Sequence, residues 1–138
     1  IKKAKAQRIT AGIHQVVSCL GLCYFTTLFG EYPIVGLVNA LTRWNIDIDE
    51  LITIGLRIQT LRQAFTLREG IDIANNELPG RVVGDPPDDK GPLEGKTTEY
   101  KDFYRLYCKE MGWNPDNGYP LKETLKQMDL DFVMRDLY

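Results

Sequence analysis

The residues best suited to chemistry lie in one short stretch, Ser18-Cys19-Leu20-Gly21-Leu22-Cys23. Two thiols, four positions apart, flank a glycine at the end of an apolar helical segment. A thiolate is an iron–sulfur ligand, and a cubane cluster is held by four of them. The glycine lets a flat cofactor come close to the backbone, because no side chain stands in its way. From these six residues alone, Cys23 reads either as such a ligand or as a small buried hydrophobe. Cys19, one helical turn earlier, reads as a packed core thiol.

The remaining candidates are weaker. With three cysteines and one histidine, the chain has four possible metal ligands. Cys108 is far from the others in sequence, and no paired Cys-x-x-Cys spacing marks a zinc site. An odd cysteine count argues against a disulfide framework and for reduced thiols in the cytoplasm. His14 is the lone side chain with an ordinary pKa near neutrality, yet it stands mid-helix and reads as a surface or capping residue. Arg57, Arg62, Arg68 and Glu69 read as a structural ion-pair network, and Asp47, Asp49, Asp88 and Asp89 as solvated loop or cap carboxylates. There is no nucleophilic triad, phosphate loop or Gly-x-Gly-x-x-Gly.

Helices must position these groups. Ile9, Ile13, Val16, Val17 and Leu20 recur at helical spacing over about Lys3–Leu20, and Gly21 ends or bends that helix. A second helix is expected over Pro33–Trp44, burying Ile34, Leu37, Val38 and Leu41. Asp47 and Glu50 form a capping box for a third, which runs to Arg68 with Leu51, Ile54, Ile58, Leu61 and Phe65 as its stripe. Gly55 lowers helix propensity by about 1 kcal/mol relative to Ala, which a close helix–helix contact would offset. A fourth helix starts at Thr97 or Thr98 and carries Tyr100, Phe103, Tyr104, Tyr107 and Met111, an aromatic core contact. A fifth runs from Pro120 to Met128, burying Leu121 and Leu125, and a last turn follows in Asp131–Tyr138. No period-two strand pattern persists.

Between them, residues 71–97 hold Pro79, Pro86, Pro87 and Pro92 with Gly80, Gly84, Gly91 and Gly95, which favours an extended surface loop. The expectation is therefore one all-α domain over 1–138, an irregular bundle of about five helices. Helices with the Gly-Leu-Cys turn fill 1–70, the loop 71–97, and the C-terminal helices 98–138. A net charge of −2 gives no footprint for nucleic acid. The longest apolar run, Val16–Gly30, is about 15 residues, short of the roughly 20 needed to span a bilayer. The chain opens on Ile1 rather than Met and reads as a fragment of something longer.

Ser18-x-x-Gly21-Leu22-Cys23 resembles the Asp-x-x-Gly-Leu-Cys motif of the aldehyde ferredoxin oxidoreductases. Three further blocks are similar to the same family in order and spacing. They are Gly55-x-Arg57-Ile58 running into Phe65-Thr66-Leu67-Arg68-Glu69-Gly70, then Glu77-Leu78-Pro79-x-Arg81, then Gly112-Trp113 with Gly118-x-Pro120 and Leu125. The resemblance implies the C-terminal helical region of an enzyme that oxidises a small aldehyde to a carboxylic acid, with ferredoxin as electron acceptor. It implies a tungsten or molybdenum bis-pterin and one 4Fe-4S cluster in the full-length enzyme, and none in the isolated piece. By the same resemblance Cys23 is the fourth cluster ligand, the others lying in an upstream Cys-x-x-Cys-x-x-x-Cys run, and Gly21 and Leu22 line the pterin. Ser18 stands where the family has a pterin-contacting Asp; its hydroxyl can hydrogen-bond but without charge. The implied partners are the N-terminal domains of the same polypeptide, with no membrane. A stand-alone helical interaction module without cofactor is the alternative. Reading the sequence upstream of Ile1 separates the two.

Overall fold

The computed structural model describes residues 2–27 and 32–138. Leu28, Phe29 and Gly30, the end of the apolar run, lie outside the described residues. The described chain is all-α, with isolated β-bridges and no strand. The helices are α1 (Lys2–Cys19), α2 (Ile34–Thr42), α3 (Ile48–Arg68), α4 (Gly80–Val83), α5 (Tyr100–Met111), α6 (Lys122–Gln127) and α7 (Met134–Leu137). Short 3₁₀ turns occupy Tyr24–Thr27 and Asp131–Val133. None of these helices is long and apolar enough to cross a membrane.

The α3 helix is the axis. Its capping box forms as expected: the Glu50 N–H donates to Asp47 Oδ1 at 2.9 Å, and the Asp47 N–H to Glu50 Oε2 at 3.0 Å. Three apolar clusters lie along it. Leu51 joins Val16 and Val38, Leu56 joins Cys108, Met111 and Trp113, and Ala64 joins Leu125, Leu130 and Val133. The α1 helix packs on α3 where two glycines meet. A Cβ on Gly55 would lie 2.8 Å from the Gly12 Cα, and closer still to the Gly12 carbonyl. Backbone-to-backbone packing is the compensation for a helix-weakening glycine. Beside it, Gln15 Nε2 donates to Gln59 Oε1 at 2.7 Å, and Arg62 donates to Gln15 Oε1 at 2.9 Å.

That contact reorders the expected stripe. The buried face of α3 is Leu51, Gly55, Leu56, Thr60, Gln63, Ala64 and Leu67. Leu61 and Phe65 are exposed and Ile54 and Ile58 half-buried, because α3 meets α1 through Gly55 and meets α5 and the C-terminal segments through Leu56, Gln63 and Ala64. Ile9, Leu37, Leu41, Phe103 and Leu121 are likewise exposed rather than core.

Residues 71–97 are not one extended loop. They fold back on themselves around α4, with the Asp85 N–H bonded to the Gly80 carbonyl at 2.8 Å and Thr98 N–H to Val83 at 2.9 Å. Arg81 pairs with Asp88 at 2.7 Å, and Asp88 bridges to Glu94. Pro79 enters α4 at φ −53°, a value proline supplies without cost at a helix start. Beyond α5, Thr124 Oγ1 donates to the Gly112 carbonyl at 2.7 Å, and Gln63 Nε2 to the Gly118 carbonyl at 3.0 Å. Trp113 and Pro120 are buried and bridge one another. Two of the sequence blocks therefore have structural reasons for their residues. Gly55 makes the helix crossing, and Gly112, Trp113, Gly118 and Pro120 close the C-terminal lobe.

Candidate functional site

The end of α1 shapes the candidate site. Gly21 takes a left-handed backbone, φ +69°. Its N–H bonds to the Ser18 carbonyl at 3.1 Å, and the Leu22 N–H reaches back to Val17 at 3.2 Å. This pair of bonds is the Schellman helix stop. It satisfies two terminal carbonyls and throws the chain off the helix axis just before Cys23. Only a residue indifferent to positive φ does this without strain.

Ser18, Gly21 and Cys23 are exposed, and Leu22 is half-buried. Its own chain neighbours aside, no heavy atom of the described residues lies within 4 Å of where a Cβ on Gly21 would stand. The glycine thus opens onto clear surface, and Cys23 follows two residues later on the same surface segment. The end of a helix carries partial negative charge, and the last turn of α1 has no basic residue.

Cys19 is also exposed, which corrects its expected place in the core. Its position at the last residue of α1 turns it from α3, and Val16 and Val17 take the buried places instead. Cys108 is the core thiol, packed with Leu56, Met111 and Trp113, and burial pushes its pKa up. Among the described residues no three His, Cys, Asp or Glu side chains converge on a metal position.

His14 lies half-buried on α1, and the Tyr24 ring stands edge-on to it, centroids 4.5 Å apart and planes at 79°. Sequence reasoning missed this contact because it depends on the chain reversal at Gly21. The arginines act structurally: Arg57 pairs with Asp129 at 2.8 Å, and Arg68 with Glu69 at 2.9 Å and Asp136 at 3.9 Å.

The profile of the family described as "Aldehyde ferredoxin oxidoreductase, domains 2 & 3" matches residues 1–130. The chain belongs to this family. It is similar to the tungsten-containing aldehyde ferredoxin oxidoreductase of Pyrococcus horikoshii, 30% identical over 135 residues, which cover 96% of this chain and 22% of that protein. The enzyme of the same name from Pyrococcus furiosus is 32% identical over 117 residues, 83% of this chain and 19% of the relative. That of Thermococcus kodakarensis is 30% identical over 125 residues, 89% of this chain and 20% of the relative. The chain thus spans about a fifth of the length of these aldehyde ferredoxin oxidoreductases.

Proposed function

We propose that this chain is the C-terminal part of a tungsten-pterin, iron–sulfur enzyme that oxidises aldehydes to carboxylic acids and passes electrons to ferredoxin. Its own contribution is Cys23 as one ligand of a 4Fe-4S cluster, with Gly21, Leu22 and Ser18 against the pterin. One observation carries this reading: Cys23 stands exposed just beyond a glycine turn whose Cα faces open space. The donor set fits, since a thiolate is what such a cluster takes and a bare Cα is what a flat ring system needs.

When bound, the metal–pterin and the cluster supply the oxidation and the electron path. The chain's residues bind and orient. Gly21 permits close approach, the Leu22 carbonyl accepts from a ring N–H, and the Ser18 hydroxyl donates or accepts one neutral hydrogen bond. The remaining ligands, the active metal and the substrate contacts come from the N-terminal domains of the same polypeptide. Apolar side chains available for burial there include Leu41 at 78% and Trp44 at 61% exposed. On this reading the isolated chain binds no cluster and has no activity, and the intact enzyme is cytoplasmic. The metal is tungsten, as in the relatives' names, or molybdenum.

The test is Cys23→Ser in the full-length protein, with iron per polypeptide and the cluster's spectrum measured. A fall in iron or an altered spectrum is expected. Full iron with an unchanged spectrum removes Cys23 from the ligand set.

A further inference from the structure

We infer that the His14–Tyr24 ring pair is a clasp that fixes the direction of the Cys23 thiol, making both residues positioning residues for the cluster ligand. The inference rests on the reading of Cys23 given above. Cys23 is the single residue between two anchors. On one side, the Leu22 N–H is tied to the Val17 carbonyl at 3.2 Å, closing the Gly21 turn. On the other, the very next residue, Tyr24, begins a 3₁₀ turn and lays its ring edge-on against His14 at 4.5 Å. A backbone held at both neighbours leaves the Cys23 side chain little choice beyond its rotamer.

The anchor itself is firm. His14 sits between Gly12, which touches Gly55 backbone to backbone, and Gln15, which bonds to Gln59 and accepts from Arg62. All three partners belong to α3. The direction of Cys23 is thereby referred to the central helix rather than to a loose loop. Ligands supported in this way hold metal more tightly, because less freedom is lost on binding. The pair also gives His14, the chain's one histidine, a role that involves no proton transfer.

The experiment uses the intact, cluster-loaded protein with His14→Ala, Tyr24→Leu, the ring-retaining Tyr24→Phe, and Cys23→Ser as reference. Three quantities are read: the cluster's midpoint potential, the rate of iron loss to a chelator, and iodoacetamide alkylation of Cys23 in iron-depleted protein, followed by peptide mass spectrometry. His14→Ala and Tyr24→Leu should each speed iron loss and Cys23 alkylation by about two- to tenfold, the factor matching the usual weight of an edge-to-face ring pair. They should also shift the potential, while Tyr24→Phe, which keeps the ring on His14, should stay closer to the parent than Tyr24→Leu does. A lowered melting temperature with potential, iron loss and alkylation all unchanged marks the pair as simple packing and overturns the clasp, leaving the ligand reading intact. Full iron and an unchanged spectrum in Cys23→Ser brings down the ligand reading first, and the clasp with it.

Discussion

Gly55→Ala tests the glycine crossing that sets the whole arrangement. In an isolated helix the change would stabilise by about 1 kcal/mol through propensity. Here the new Cβ would stand 2.8 Å from the Gly12 Cα and closer to its carbonyl, where ordinary contact begins at 3.4 Å. The obstacle is backbone, so no rotamer change relieves it, and α1 must retreat by on the order of 1 Å. A gap of roughly 0.5–1 Å forfeits a quarter to a half of each contact's attraction, and Val16, Leu51 and Leu56 line the affected face. Overpacking of this kind costs about 1–3 kcal/mol. After the propensity gain, a net loss of about 1–2 kcal/mol is expected. Two controls set the scale. Gly12→Ala meets Ile52 O at 3.0 Å and its Cγ2 at 3.3 Å, so gain and crowding nearly cancel. Among the described residues Gly36→Ala meets only the Pro33 Cβ at 4.0 Å, so it should gain close to the full propensity term. Urea unfolding followed by far-ultraviolet circular dichroism gives the order Gly36→Ala, parent, Gly12→Ala, Gly55→Ala. A Gly55→Ala chain as stable as the parent would refute the backbone contact.

Gly21→Ala should destabilise by about 1 kcal/mol for its left-handed backbone, with no steric addition since the site is open; a loss of several kcal/mol in unfolding measurements would contradict this. Thr124→Val should cost about 1 kcal/mol, because the Gly112 carbonyl keeps its bond from the Leu121 N–H at 3.0 Å; a cost several times larger would show an unrecognised role. A thiol titration of the native chain should find Cys19 and Cys23 reacting quickly and Cys108 only after unfolding, and three fast thiols would displace Cys108 from the core. Burial raises Tyr107 to about 12 and also raises Cys108. The unfolded chain ionises first, near the ordinary values of 9.0 and 10.0. Their stabilising contribution is therefore complete below pH 9.0 and declines as pH rises toward about 12. Urea midpoints should fall as pH rises from 9.0 to about 12, and a flat profile would count against the half-buried phenol and buried thiol.

Features decided by neighbours in sequence were legible. The Asp47–Glu50 box, the stops at Gly21 and Gly112, and the limits of α1 and α3 follow from capping and periodicity within a few residues, whereas α5 starts at Tyr100, after the expected Thr97 or Thr98, with no side-chain cap. Which apolar residues are buried was less so. Leu61 and Phe65 repeat at helical spacing with Leu51, yet they face outward because α3 meets α1 through Gly55 and meets α5 and the C-terminal segments through Leu56, Gln63 and Ala64. No local pattern reveals that choice, since it depends on elements far away in sequence. The same limit applies at the site. The turn before Cys23 was visible in Gly21, whereas the exposure of Cys19 and the meeting of His14 with Tyr24 required the tertiary structure. In residues 71–97 the density of proline and glycine suggested extension, but backbone bonds from Asp85 and Thr98 close the segment upon itself.

Each of the three separate apolar clusters borrows a residue from α3, so none survives intact if that helix melts. Amide protons along α3 should consequently be the slowest to exchange with deuterated water, opening only with global unfolding. The exit from α1 beyond Gly21 lies outside that shared spine. It is tied down by the Gly21 turn and by the Tyr24 ring against His14, so its amides should exchange sooner than those of α3 but later than those of a segment without such contacts.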